Sequence, residues 1–97
     1  MSAENYETPV RRLVTICNKR GLHARAAAKF VKLAETFDAD VKVAKNGAIV
    51  SGRSIMGLMM LAAAIGTTIE VRATGAEAQQ AVDAMAVLVN SGFYEQD

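Results

Sequence analysis

From Ala26 onward the apolar positions 27, 30, 31, 34 and 37 recur at the three-to-four spacing of an amphipathic helix, with Lys29, Lys32 and Glu35 on the other face. The spacing predicts a helix over about Ala24–Phe37, ended by Asp38-Ala39-Asp40. Ahead of it, Arg12–Cys17 alternates as a strand, with Val14 and Ile16 on one face and Thr15 and Cys17 on the other. Asn18–Leu22 is a loop in which Gly21 relieves the backbone. After the helix, Val41 and Val43 alternate with Lys42 and Ala44 in a second strand. Asn46-Gly47, the strongest hairpin signal in the chain, turns it back through Ala48–Ser51. Ser54 suits the N-cap of a short helix, and Thr68–Thr74 reads as a strand with Ile69, Val71 and Ala73 inward and Glu70 and Arg72 outward. Thr74-Gly75-Ala76-Glu77 fits a capping box opening a last helix, about Ala76–Asn90, that packs through Ala78, Val82, Met85, Ala86 and Val89. Ser91-Gly92 ends it.

The resulting order, βαββαβα, is of the α/β (α+β) class. Four half-amphipathic strands and three helices share one core if a single sheet carries the helices on one face. Ninety-seven residues suffice for one such core and not for two. Residues 1–9, polar and ending in the only proline, read as a tail, residues 10–92 as the domain, and residues 93–97 as a C-terminal tail.

A net charge of +1 hides an asymmetry. Residues 10–32 contain Arg11, Arg12, Lys19, Arg20, Arg25, Lys29 and Lys32 and no acid, whereas the rest of the chain is acidic on balance. A positive region of this kind suits an acidic protein surface, a phosphate or a polynucleotide. Cys17 is the only cysteine, so it forms no disulfide or cysteine-based metal cluster within one chain, and it reads as a small filler at a strand end. The first nine residues lack an apolar signal core, and the longest strongly apolar run, Ile55–Ile65, is too short to span a bilayer. The chain reads as cytoplasmic, with no membrane insertion.

The only histidine, His23, falls at the join between the glycine-containing loop and the first helix. A helix's first turn leaves N–H groups unpaired and carries the positive end of its dipole, so an anion at that edge, including a phosphoryl group bonded to the ring, is well received. Arg25, two residues on, offers a donor fork suited to the same oxygens. The same residues equally describe an exposed polar cap beside a solvated arginine. Further along, Ile55, Met56, Leu58, Met59, Met60 and Leu61 hold more apolar surface than one helix face buries, so part of it should stay exposed as a contact patch.

The stretch Gly21-Leu22-His23-Ala24-Arg25, continued by Ala26-Ala27-Ala28-Lys29-Phe30-Val31, resembles the active-site segment of the histidine-containing phosphocarrier family HPr, of the bacterial phosphoenolpyruvate-dependent phosphotransferase system. The resemblance covers roughly residues 10–90, including the element order, the Asn46-Gly47 hairpin, the serine before the short helix and Thr74-Gly75. The ending Asn90-Ser91-Gly92-Phe93 is closer to the nitrogen-related branch, NPr, than to the sugar-transport branch.

The resemblance implies an open-faced sandwich: a four-stranded antiparallel sheet with three helices on one side. It implies a carrier, not a stand-alone turnover enzyme, that takes a phosphoryl group from enzyme I on Nδ1 (the pros nitrogen) of His23 and passes it to an EIIA-type protein. The output would be sugar uptake or nitrogen-related regulation. It places the family's arginine on Arg25 and the serine addressed by HPr kinase/phosphorylase on Ser54. Partner contacts fall on Ile55 and Met56, extended by Met59; apart from the resemblance, Arg20 and Lys29, farther from His23 in sequence than Arg25, are expected to meet acidic partner residues. No cofactor and no metal is implied. The sequence departs at Ala26, where most members have proline; alanine takes the same helical backbone at small cost, so the helix start should survive.

Two other readings stand beside this one. A small nucleic-acid or protein-binding α/β module could use the basic surface around residues 11–32, although Phe30 is the only aromatic there and helical spacing buries it. A small hydrolase with a phosphohistidine intermediate would need a general acid and a substrate pocket, for which the sequence offers no obvious pair.

Overall fold

The computed structural model describes residues 8–95. Strands β1 (Val10–Thr15), β2 (Asp40–Lys45), β3 (Ala48–Ser51) and β4 (Thr68–Thr74) form one antiparallel sheet in the order β1-β4-β2-β3. Helices α1 (Ala24–Ala34), α2 (Ile55–Met60) and α3 (Ala78–Asn90) complete the order βαββαβα of an open-faced sandwich. Register follows the alternation: Val14 faces Ile69, Val43 faces Val71 and Val41 faces Ala73, which puts one apolar row from each strand on the same side. That row packs with Phe30, Leu58, Val82, Met85 and Val89 in a single core.

Asn46 and Gly47 have φ of 50° and 85°, the two positive values that a two-residue hairpin turn of the I′ kind requires. Helix α2 ends without a glycine: Ala62 takes φ 51°, and Lys45 Nζ donates to the carbonyls of Leu61 and Ala62, both at 3.0 Å. A cation placed on the last carbonyls of a helix satisfies them and complements the dipole.

The elements depart from the sequence reading at four points. The first strand runs from Val10 to Thr15, not from Arg12 to Cys17, because its partner β4 begins at Thr68, opposite Thr15. Helix α1 stops at Ala34, short of Phe37, where the N–H groups of Thr36 and Phe37 fold back on the carbonyls of Leu33 and Ala34 and tighten the chain into a turn. The capping box at Thr74 does not form. Thr74 is the last residue of β4, α3 starts at Ala78 with no side-chain cap, and the Glu77 carboxylate is taken by the N–H of Asp38 at 2.7 Å. Glu77 N–H donates in turn to the Asp38 carbonyl at 2.9 Å, so the residue assigned to a cap ties the turn after α1 to the start of α3.

The fourth departure lies at the C-terminus. Of the stretch read as a tail, Phe93 has no exposed surface and belongs to the core, inside a short turn at Gly92–Tyr94. Residues 1–7 of the polar N-terminal stretch and residues 96–97 lie outside the described residues. Replacing Phe93 with alanine should therefore cost about 3–5 kcal/mol, as for a core aromatic, and not the few tenths of a tail residue. Urea unfolding of Phe93→Ala against the parent measures this.

Candidate functional site

His23 is the N-cap of α1. Its backbone is extended (φ −79°, ψ 179°), its carbonyl accepts the Ala27 N–H at 2.8 Å, and its Nδ1 accepts the Arg25 N–H at 3.2 Å. A capping side chain normally brings an oxygen to this place; here the acceptor is a ring nitrogen. The N–H groups of Ala24 and Ala26 have no partner among the described residues, as the first turn of a helix dictates. Ala26 itself is buried within a regular helix, so the start of α1 forms with alanine at that position.

The loop before His23 is held from two sides. Gly21 has φ 65°, and a Cβ there would lie 2.5 Å from the Ala63 carbonyl oxygen, so no other residue fits without moving backbone. That same carbonyl accepts the Leu22 N–H at 2.9 Å, which fixes His23 beside the segment following α2. Buried Asn18 uses Nδ2 to hold the Gly21 carbonyl at 2.8 Å.

The other half of the site comes from the C-terminal turn, which local sequence patterns do not connect to His23. Glu95 reaches His23 from 72 residues away: its Oε2 pairs with Nε2 of the ring, and its Oε1 accepts from Asn18 Nδ2 at 3.0 Å. The two side chains are only 15% and 11% exposed, so the pair is largely withdrawn from water. Lys29 Nζ donates to the Phe93 carbonyl at 2.6 Å and holds the approach. Between them, Gly92, Phe93 and Tyr94 all have positive φ, at 67°, 57° and 56°. Two consecutive non-glycine residues in that region cost about 1–2 kcal/mol each. The burial of Phe93 and the polar ties of Lys29 and Glu95 hold the turn against that cost.

Burial raises the pKa of the Glu95 carboxyl, but hydrogen bonds from His23 and Asn18 and the charges of His23 and Lys29 outweigh it and hold the group below its ordinary 4.5.

Of the remaining residues singled out from the sequence, Arg25 is exposed and its guanidinium has no partner among the described residues. Arg20 is exposed and, with Leu22, His23 and Ala62–Ala64, borders a shallow hollow of about 250 Å³. Lys29 is half-buried with its ammonium turned to the Phe93 carbonyl, which takes it out of the free basic surface. Ser54 caps α2, its Oγ accepting the Gly57 N–H at 2.9 Å. Ile55, Met56 and Met59 are 40%, 71% and 41% exposed, as the surplus of apolar positions required, while Leu58 on the same helix is buried. Cys17 lies just past β1 with its thiol against the Val89 carbonyl. Among the described residues no three His, Cys, Asp or Glu side chains gather to hold a metal ion, and no helix is long and apolar enough to cross a membrane.

Comparison with known proteins agrees with this geometry. The family described as "PTS HPr component phosphorylation site" matches residues 10–91. The phosphocarrier protein HPr of Cupriavidus necator is 48% identical over 86 residues, spanning 89% of this chain and 97% of the relative. The phosphocarrier protein NPr of Shewanella violacea is 44% identical over 88 residues, spanning 91% and 97%. The crystal structure of HPr-C-His from Thermoanaerobacter tengcongensis superposes with a TM-score of 0.86 at 36% identity, over 91% of this chain and 99% of that one.

Because the Glu95 carboxyl sits lower in the folded chain than in the unfolded one, its stabilising contribution is fully present above pH 4.5 and is lost as pH falls through the folded value. Glu95→Gln should unfold at lower urea than the parent at about pH 6, and the gap should be narrower at about pH 3. Urea midpoints of both proteins at the two pH values check this.

Proposed function

Because this chain belongs to the HPr family of phosphocarriers of the phosphotransferase system, we propose that Nδ1 of His23 is the atom that takes the phosphoryl group from enzyme I and yields it to an EIIA-type protein. The observation that carries this reading is the orientation of the ring. Nδ1 lies at the N-terminus of α1, 3.2 Å from the Arg25 N–H, so an incoming phosphoryl group meets unpaired donors on the protein side.

The transfer is a displacement in line. The lone pair of Nδ1 forms a bond to phosphorus as the bond to the donor's imidazole breaks, and that ring leaves with the electron pair. The Arg25 N–H is released from Nδ1 and is free, with those of Ala24 and Ala26, to receive phosphoryl oxygens; the Ala27 N–H stays bound to the His23 carbonyl. The unengaged Arg25 guanidinium curls over the same oxygens and matches two of them. The hollow beside His23 is shallow, which suits a site read by another protein's surface more than one that encloses a small substrate.

The partner surface on this reading is the exposed part of α2, Ile55, Met56 and Met59, with Arg20 on the adjoining loop. Ser54, at the head of that helix, is where a kinase would act. A phosphate there would sit at a helix N-terminus, which tolerates it, and next to the apolar patch, where it would oppose an acidic partner. Lys29, assigned to partner contacts from the sequence, is proposed instead to hold the C-terminal turn.

The test is incubation with enzyme I and phosphoenolpyruvate followed by intact mass. One phosphoryl group should appear, be lost in acid and be absent from His23→Ala; a label that persists in that variant rejects the reading. Arg25 and the surrounding field separate by salt. Arg25→Ala should slow phosphorylation by an amount that survives about 0.5 M salt, because a bidentate contact is local, whereas Lys32→Ala should lose only a little, and chiefly at low salt. Initial rates of both variants at low and high salt measure the difference. A defect in Arg25→Ala that vanished with salt would make it part of the steering field only.

A further inference from the structure

We propose that Glu95 is a positioning residue for phosphoryl transfer: bonded to Nε2 of His23, its carboxylate holds the Nε2–H form of the ring and then acts as counter-ion to the charge the ring acquires when Nδ1 is bonded to phosphorus. This rests on His23 being the phosphorylated residue.

The two ring nitrogens face partners of opposite kind. Nδ1 faces a donor, the Arg25 N–H, and so presents its lone pair; Nε2 faces a carboxylate and so carries the proton. That is the form in which Nδ1 is the nucleophile. When its lone pair bonds phosphorus and the donor's ring departs, Nε2 keeps its hydrogen and the His23 ring passes from neutral to singly positive. No proton needs to move. The charge is spread over a ring whose far nitrogen is already bonded to a carboxylate in a largely dry place, where such a contact is strong. In the onward transfer, cleavage of the N–P bond from the protonated ring releases a neutral imidazole and not an imidazolate. By keeping Nε2 protonated, the same carboxylate also holds the ring in the form from which the phosphoryl group departs.

A purely anchoring role accounts for less of the arrangement. The C-terminal turn is already held by fully buried Phe93 and by Lys29 on the Phe93 carbonyl. Neither tie calls for a carboxylate on the ring, yet the chain bends through two left-handed non-glycine residues to bring one there. Both oxygens of that carboxylate are engaged, one by Asn18 and one by His23, so its direction is fixed. Around the pair, the loop supplies Lys19 and Arg20, α1 supplies Arg25 and Lys29, and the segment Ala62–Ala64 is uncharged. None of these stretches contains another acid, so no second group on them can take over the part assigned to Glu95.

The parent, Glu95→Gln and Glu95→Asp, each shown folded by its amide spectrum, would be phosphorylated with enzyme I and phosphoenolpyruvate. The ring would then be followed by nitrogen-15 and phosphorus-31 resonance through a pH titration. Glutamine keeps an acceptor and removes the charge. In Glu95→Gln the phosphorylated ring should lose its Nε2 proton about one pH unit lower, a tenfold change in that equilibrium. Its phosphoryl group should also survive several-fold longer at neutral pH, with Glu95→Asp in between. A titration and lifetime equal to the parent's in folded Glu95→Gln would reduce Glu95 to an anchor and overturn the proposal. Should that variant not fold, the unphosphorylated parent still decides: nitrogen-15 shifts showing the proton on Nδ1 overturn it, and on Nε2 support it. A label found away from His23 would instead reject the site itself, and this inference with it.

Discussion

Everything at the functional end of this fold depends on one residue serving two structural partners at once. His23 caps α1 through Nδ1 and meets the C-terminal turn through Nε2, so the ring's plane is set by the backbone of one element and the side chain of another. On the proposed function, His23 gives up its capping bond to react. The bond it gives up is a single one, from the Arg25 N–H, and the phosphoryl group that replaces the lone pair brings its own oxygens to that donor. The Arg25 N–H is thus satisfied before and after transfer, by different atoms.

The supporting frame explains why a small domain can hold this arrangement. Gly21 must be glycine because the chain passes against the Ala63 carbonyl, and that contact joins the histidine loop to the end of α2. The end of α2 is in turn fixed by Lys45 from β2, so the sheet, α2 and the histidine loop form one connected path. The C-terminal turn closes the other side. Its left-handed residues are costly by themselves and are kept in place by a buried aromatic and a lysine bond, which makes the position of Glu95 a product of the core and not of local preference.

The legible features were local ones. The Asn46-Gly47 turn, the Ser54 cap, the apolar stripe of α1 and the exposed surplus on α2 are each encoded within a few residues, where backbone preference and periodicity act directly. His23 at a helix edge was legible for the same reason, and the motif around it carried the family. What could not be read are contacts between residues far apart in the chain: Asn18 with Glu95, Lys29 with Phe93, and Glu77 with the turn after α1. The capping-box pattern at Thr74 shows the reason in one case. Its residues satisfy the local rule, but the Glu77 carboxylate finds the Asp38 N–H, and a tertiary contact overrides the pattern. Phe93 was the one available hint at the C-terminus, since an aromatic just past a helix-ending glycine is well placed to fold back onto the core.

Charge placement ties the site to its use as a carrier. A group that must be taken from one protein and surrendered to another cannot be held as tightly as a substrate in a closed pocket, because a deep minimum would stop the second transfer. On the proposed function, the donors to the phosphoryl oxygens are backbone N–H groups and one exposed guanidinium beside a shallow hollow, and the free cations around them are exposed and screened by salt. In the arrangement proposed, the Glu95 carboxylate on the far nitrogen is withdrawn from water and acts on the ring, not on the phosphoryl oxygens. Field strength in this site therefore falls mainly on the bond that has to form and break, while the oxygens are left to contacts that a partner's surface can readily replace.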